Sequence, residues 1–362
     1  MAPNKKVKIA IDVSPLSDQN STRGVGYYTK HLIDALNYEI KTNPEYLSWN
    51  IKLIENCKLK IENYDLIHYP YFDPFFLTLP YRSKTPFIVT VHDLIPRQFK
   101  SRYPVGIKGE IKWLIQKYRL NKAKYLITDS HCSKFIINDL TGYPTDKIYV
   151  THLSSDKEFK PLKNRAFLLD LKKRYHLPDK FVLYVGDVNW NKNLPTLVNA
   201  CLDLKYPLVV VGSAANQKKI ISHPWNHDLI WLQKQVSLNP DLIILTGFVS
   251  TRKLVGIYNL ANLYCQPSFA EGFGLPLVEA MKTGCPVVYG QESCLDEIMD
   301  QNGVMFDPHS VDDLKKSLTK LWSDKILLQK YHSFGLKRAK IFDWQKTALQ
   351  TLAVYKLALL NA

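Results

Sequence analysis

Two carboxylates, Glu271 and Glu279, stand eight positions apart in the segment Ser268-Phe269-Ala270-Glu271-Gly272-Phe273-Gly274-Leu275-Pro276-Leu277-Val278-Glu279-Ala280-Met281. Pro276 suits a first helical residue because its missing N–H is no loss there, and Leu277 to Lys282 is the predicted helix. Glu271 then lies in the preceding loop and Glu279 in the first turns. Gly272 and Gly274 admit positive φ and close approach of a ligand, while the N–H groups of the helix start face an anion. A diphosphate fits against the backbone of Gly272, Phe273, Gly274 and Leu275. Glu279 is placed to accept hydrogen bonds from ribose hydroxyls, and Glu271 to reach a transferred sugar or its phosphate. The spacing therefore suits a sugar nucleotide. The competing reading is an ordinary glycine turn beside two solvent-facing glutamates.

Other residues add to that chemistry. Lys192, in the loop after an apolar strand at Phe181 to Val185, supplies a point charge able to offset a β-phosphate, and Gly186 and Asn191 lie in the same stretch. Gly247-Phe248 closes another strand. The loop Arg23-Gly24-Val25-Gly26 follows the first strand and precedes a helix, so Gly24 and Gly26 are placed to approach phosphate or acceptor. His92 follows the strand Phe87 to Val91 and emerges at its end, as a site residue or as a hydrogen-bonded structural imidazole. The aromatic passage from His68 to Phe76 is either a platform for the C–H faces of a sugar or part of a core.

Read in order, the segments Thr90-Val91-His92-Asp93-Leu94-Ile95-Pro96, Thr128-Asp129-Ser130, Tyr184 to Leu194, Gly247-Phe248-Val249-Ser250, Cys265-Gln266-Pro267-Ser268, the glutamate segment, Gly284-Cys285-Pro286-Val287-Val288 and Phe342-Asp343-Trp344 span almost the whole chain. This succession resembles the retaining glycosyltransferases of family 4, with their GT-B fold and E-x7-E motif. The resemblance implies an α/β protein of two Rossmann-like parallel-sheet domains facing across a cleft. It also implies a nucleoside diphosphate sugar as donor (a GDP- or UDP-sugar), with His92, Lys192 and Glu271 at the reacting centre. Many relatives carry an Arg just after the glycine of the Tyr184 strand, where this chain has Asp187. Arg97, Arg252 or the amides of Gly272 to Gly274 are then left to share the charge with Lys192.

The elements that must position these residues alternate short apolar runs with helical patterns, which predicts parallel sheets of βαβ units. Strands are expected at Val7 to Val13, Ile51 to Ile54, Leu66 to His68, Phe87 to Val91, Tyr125 to Thr128 and Ile148 to Val150, with a helix from about Tyr27 to Leu36. A polar passage, Ser154 to Lys173, reads as a connector. A second set follows at Phe181 to Val185, Leu208 to Val211, Leu242 to Leu245, Leu263 to Gln266, Val287 to Val288 and Val304 to Phe306. The expected domains are residues 1–165, with the final helix of about 343–362 crossing back, and residues 166–342. Ligands belong beyond the carboxyl ends of such strands.

Composition narrows the classes. The 362 residues are 46% hydrophobic and 22% charged, enough for two cores, and no run approaches the ~18–20 apolar residues of a spanning helix. The start of the chain leads into a strand and not a secretory apolar region, so the expectation is a cytoplasmic protein. The six cysteines, including Cys57, form no C-x-x-C pairs, and with no D-x-D motif no metal is expected. The net charge of +15 is uneven, since residues 1–165 hold 26 Lys and Arg against 16 Asp and Glu. Between Arg97 and Lys124 nine basic residues accompany one acid, Glu110, and Ile107, Ile111, Leu114, Ile115 and Tyr118 recur at helical spacing. Such a helix either packs this stripe on the core or lays it on an anionic lipid surface at the inner face of a membrane. No nucleic-acid-binding segment is found.

The resulting expectation is transfer of a hexosyl-type group to a hydroxyl of a saccharide or lipid-linked acceptor, with retention, in polysaccharide or glycolipid assembly. Two alternatives stay open: a sugar-nucleotide epimerase of related fold, and a catalytically silent, membrane-peripheral binding protein.

Overall fold

The computed structural model describes residues 6–17, 24–55, 63–213, 221 and 223–360. Arg23 and Cys57, named above, lie outside them. Most of the short apolar runs fold as strands buried on both faces, as parallel sheets covered by helices require: Phe87–Thr90 and Leu208–Val211 are buried throughout, whereas Trp49–Ile54 exposes Asn50, Lys52 and Leu53.

The described residues divide into two compact units. The first holds those up to Lys100, Pro104–Ser154, and those from Asp343 onward; the second holds Ser101–Tyr103 and Ser155–Phe342. In the first, the order is β1 (Val7–Asp12), α1 (Ser14–Ser17), α2 (Gly24–Thr42), β2 (Trp49–Ile54), β3 (Leu66–Tyr69), β4 (Phe87–Thr90), α3 (Ile95–Gln98), α4 (Gly106–Leu120), β5 (Tyr125–Thr128), α5 (His131–Thr141) and β6 (Ile148–Val150). In the second it is α6 (Arg165–Arg174), β7 (Val182–Val185), α7 (Leu194–Leu204), β8 (Leu208–Val211), α8 (His227–Leu238), β9 (Ile243–Gly247), α9 (Thr251–Leu260), β10 (Leu263–Gln266), α10 (Leu275–Thr283), β11 (Val287–Gly290), α11 (Leu295–Met299), β12 (Val304–Phe306), α12 (Val311–Trp322) and α13 (Lys325–Arg338). The last helix, α14 (Trp344–Leu360), belongs to the first unit.

Both sheets are six-stranded and parallel, ordered β2-β1-β3-β4-β5-β6 and β12-β11-β10-β7-β8-β9. In the second, β7 pairs β8 from Val182↔Leu208 to Val185↔Val211 and pairs β10 at Leu263↔Val182 and Tyr264↔Leu183. The chain thus winds outward one way from β7 and the other way from β10. The switch point of the sheet therefore falls between β7 and β10, and in open sheets of this kind ligands bind at the carboxyl ends of the strands there.

The polar passage expected as a connector instead folds into α6 and packs within the second unit. Its backbone is bound there at both ends: Lys282 Nζ donates to Ser155 O at 3.0 Å, and Asn259 Oδ1 accepts from Leu162 N at 2.7 Å. Polar composition alone therefore misplaced the change of unit, which falls at 154/155. α14 is tied into the first unit by Trp344 stacked on His31 at 5.4 Å and by Thr347 Oγ1 donating to His152 O at 2.6 Å.

Within α4 the apolar periodicity is real but inverted with respect to a packed core. Its buried residues are Gly109, Trp113, Gln116 and Leu120, whereas Ile107, Ile111, Leu114 and Tyr118 are exposed. One aromatic, Trp113, suffices for the core on this side because Arg97 lies over its ring at 4.8 Å and Gln116 Nε2 donates to Asp73 O and Thr78 Oγ1 at 3.0 and 2.8 Å. The aromatic passage is divided in the same way: Tyr69 and Phe72 are core, while Phe76 is exposed.

Candidate functional site

The switch point of the second sheet brings together two residues 79 positions apart. Lys192 ends the short turn Trp190–Lys192 after β7, and Glu271 lies in the loop after β10. Lys192 Nζ reaches Glu271 Oε1 at 2.9 Å and Oε2 at 2.8 Å. Glu271, 7% exposed, also accepts from Gln266 Nε2 and Ser268 Oγ, each at 2.6 Å on Oε1. A buried carboxylate needs such donors, since an ion stripped of water without partners is costly. Its backbone is held too, with Ser293 Oγ accepting from Glu271 N at 3.0 Å and donating to Glu271 O at 2.8 Å.

Asn191 fixes the two loops to each other. Its side chain donates to Ala270 O at 2.9 Å and accepts from Tyr103 Oη at 2.6 Å, and its carbonyl accepts from Phe269 N at 2.8 Å. Asn193, the left-handed residue that opens α7, donates to Pro267 O and Pro308 O at 3.0 and 2.7 Å. Trp190 and Phe269 stack at 5.1 Å beside this seam.

The glutamate helix begins at Leu275 with Pro276 second, so it starts two residues earlier than its apolar pattern indicated. Gly274 takes φ +86°, and a Cβ there would lie 2.8 Å from Leu295 Cδ2. Positive φ falls on Gly274 and not on Gly272. Gly274, Leu275 and their neighbours thus turn the first amides of a nine-residue helix toward the carboxyl end of the sheet, where an anion is favoured. Glu279, in the second turn, is also 7% exposed. Its partner is Tyr258, whose Oη donates to Oε2 at 3.0 Å. Burial pushes the Glu279 carboxyl up to about 8, against the opposing pull of Tyr258 and Lys282. The two glutamates are thus equally buried but differently furnished.

Around them, Gly186 takes φ +150° after β7, and a Cβ on Gly212 would lie 2.2 Å from the Gly186 carbonyl. Gly247 ends β9 in a left-handed conformation with Phe248 exposed behind it. At the position of the missing Arg, the carbonyl of Asp187 accepts from Tyr184 Oη at 2.6 Å. Arg252 lies over Phe167 at 5.2 Å.

In the first unit His92 follows β4. Its Nδ1 contacts Asp129 Oδ2 at 2.7 Å and its Nε2 lies 3.1 Å from Pro70 O. Burial lowers the imidazole, but the charge and hydrogen bond of Asp129, with Asp93 and the Pro70 carbonyl, outweigh it and hold His92 above its ordinary value. Tyr28 packs edge-on at 4.6 Å. Gly24 and Gly26 occupy the first turn of α2 and not a loop before it. Arg97 is buried, bonded to Glu110 at 2.6 Å in this unit.

The structure therefore joins Lys192, Glu271 and Asn191 in one network, sets Glu279 one helix turn deeper, and places His92, Gly24 and Gly26 in the other unit. The roles of Gln266, Ser268, Asn193, Tyr258 and Asp129 were not legible from residue type. The alternation of Gln266 and Ser268 at the end of β10 was the available signal, since polar residues closing an all-apolar strand point into whatever lies beyond it.

Comparisons with known proteins agree with this architecture. Residues 18–158 match the profile of Glycosyltransferase Family 4, and residues 170–338 that of Glycosyl transferases group 1. The O-antigen chain mannosyltransferase B of Escherichia coli is 29% identical over 321 residues, 83% of this chain and 80% of that one. Sucrose-phosphate synthase from Thermosynechococcus elongatus superposes with a TM-score of 0.76 at 18% identity, covering 98% of this chain and 100% of that chain. Anabaena HepE, solved with UDP-glucose, gives 0.70 at 17% identity over 96% of this chain and 99% of that one. With two profiles in this order, and two parallel six-stranded sheets of GT-B type beneath them, the chain belongs to the family 4 glycosyltransferases.

Proposed function

We propose that this glycosyltransferase moves a hexosyl group from a nucleoside diphosphate sugar, GDP- or UDP-linked, to a hydroxyl of a saccharide or lipid-linked acceptor in surface polysaccharide assembly, with retention at the anomeric carbon. The observation that carries the reading is the pair of half-buried Lys192 and buried Glu271 at the carboxyl ends of β7 and β10, beside the amides that open α10. The name of the Escherichia coli relative supports a mannosyl donor and a polysaccharide product; the UDP-glucose in HepE supports a sugar nucleotide as the class of ligand.

The chemistry follows from charge. Breaking the sugar–phosphate bond leaves a diphosphate, and preorganised positive charge at the leaving oxygen is commonly the largest catalytic contribution. Glu271 holds the Lys192 ammonium in a fixed place, and the α10 amides supply further donors. In this reading the leaving phosphate is neutralised without a metal. Glu271 positions sugar and phosphate and forms no covalent bond, the acceptor attacking the same face that the leaving group departs from. Glu279 receives the ribose hydroxyls; in the first unit His92 is oriented by Asp129. Gly186, Gly247, Phe248, Gly272, Phe273 and Leu275 line the nucleotide through their backbones.

Titration calorimetry with GDP- and UDP-sugars, followed by product NMR, tests this. One nucleotide should bind, Glu279→Ala should weaken it by about tenfold or more as a charged or ribose hydrogen bond is lost, and the new anomeric linkage should keep the donor's configuration. Conversion of donor without acceptor would instead identify an epimerase. An inverted linkage, or no nucleotide bound, would overturn the proposal.

A further inference from the structure

The outward stripe of α4 has a neighbour that extends it. The loop that carries Phe76, Leu77 and Tyr81, all exposed, runs alongside the helix. It is fastened there by Gln116 to Asp73 and Thr78, and by Arg119 Nη1 donating to Leu79 O at 2.8 Å. Positions 107, 111, 114 and 118 follow the i, i+4, i+7, i+11 spacing of one helix face and extend about 16 Å along it. Ile107 is 82% exposed and Leu114 63%. Cations frame this surface: Lys112 lies over the Phe76 ring at 5.3 Å, Arg119 over Tyr81 at 5.4 Å and Lys122 over Tyr118 at 4.8 Å. At its edge a cavity of about 710 Å³ is lined by Tyr81, Arg82, Lys84, Tyr118 and Lys122 among others, with no acidic residue in the lining. The carboxylate of this stretch, Glu110, bonds Arg97.

We propose that this face of the first unit docks on an anionic lipid bilayer, with Ile107, Ile111 and Leu114 entering the headgroup boundary and Arg82, Lys84 and Lys122 engaging acidic headgroups. An exposed apolar patch rimmed with charge of one sign marks an interaction site, and aromatic residues with cations at their edge suit the boundary between lipid and water. The charge decides among occupants. A second copy of this chain would bring basic rim against basic rim, which is unfavourable. Nucleic acid would stack on Phe76, Tyr81 or Tyr118 but would leave Ile107, Ile111 and Leu114 against phosphate, since aliphatic side chains offer neither stacking faces nor hydrogen bonds. No described helix is long and apolar enough to cross a membrane, so the contact is peripheral.

The inference is independent of the donor, and its test needs none. The 362-residue chain is mixed with sedimenting vesicles of phosphatidylcholine alone or mixed with phosphatidylglycerol. Partitioning should favour the anionic vesicles and fall as salt screens them. Arg82→Gln with Lys122→Gln should weaken partitioning about 25-fold, roughly fivefold per cation near the surface. Ile111→Ser with Leu114→Ser should weaken it at least about tenfold, the loss expected when apolar groups no longer leave water. Because all four side chains lie on the surface, melting temperatures should match wild type, and the wild-type salt titration gives a readout that no variant's folding affects. Equal binding to neutral and anionic vesicles, or variants that bind as wild type does, would overturn the proposal. So would a concentration-dependent dimer that the apolar variant abolishes.

Discussion

The turn carrying Glu271 and the outward face of α4 depart from the usual distribution of residues in opposite directions. One buries charge and the other exposes large apolar side chains. Buried polar groups and exposed apolar patches are the informative exceptions in a folded chain, because each has a free-energy cost that something else must offset. At the turn the offset is internal: Lys192, Gln266, Ser268 and Ser293 satisfy Glu271 within the protein. On α4 no described residue covers Ile107 or Leu114, and the proposed bilayer is what would offset their exposure. In the proposed reading the reacting site is satisfied within the protein, whereas the docking surface is completed by its partner.

Adjacent residues of α4 offer the largest effect. Trp113→Ala should cost about 3–5 kcal/mol of stability in urea unfolding, the range for losing a buried aromatic. A cost near zero would mean that the helix has been assigned its faces the wrong way round. Lys192→Ala should lower transfer by about 10² to 10³, as removal of one preorganised positive donor does. A double-mutant cycle with Glu271→Ala should then show coupling of about 0.5–3 kcal/mol in stability. Additive losses would separate the two residues and dissolve the network.

Glu279 sharpens the contrast between the two glutamates. Its folded value of about 8 exceeds the ordinary 4.5, so the native chain keeps a proton that the unfolded chain has lost between those values. This contribution is fully present below pH 4.5 and is lost as pH rises through 8. Stability should fall with rising pH by at most about 1.4 kcal/mol per unit in that window, and Glu279→Gln should flatten the slope. A wild-type slope that survives the substitution would show that the carboxyl is ionised and that burial is offset otherwise. Leu114→Ser should be the smallest change, within about 0.5 kcal/mol, because its side chain is already in water.

Much of the architecture was legible from the chain. All twelve described strands lie where short apolar runs predict them, within a residue or two at their ends, and most are buried on both faces, which leaves little choice of residue. The helix of α4 was legible too, but its orientation was not. Periodicity reports that one face is apolar, and only neighbouring elements decide whether that face is covered. Here the loop from Asp73 to Leu79 occupies the side bearing Trp113 and Gln116. The connector around Arg165 misled for a related reason: its polar side chains face water while its backbone and Phe159 are held by α9 and α10.

Residue type, spacing and the family resemblance singled out Glu271, Glu279, Lys192 and the glycine turn as candidates, and the structure brings Lys192 and Glu271 into contact. The chain alone also determined that two parallel sheets would form. That Glu271 takes Lys192 as its partner while Glu279 has Tyr258 was decided only in three dimensions. β7 and β10 are neighbours in the sheet although 78 residues separate Val185 from Leu263, and side-chain electrostatics depends on distances through space that spacing along the chain does not contain.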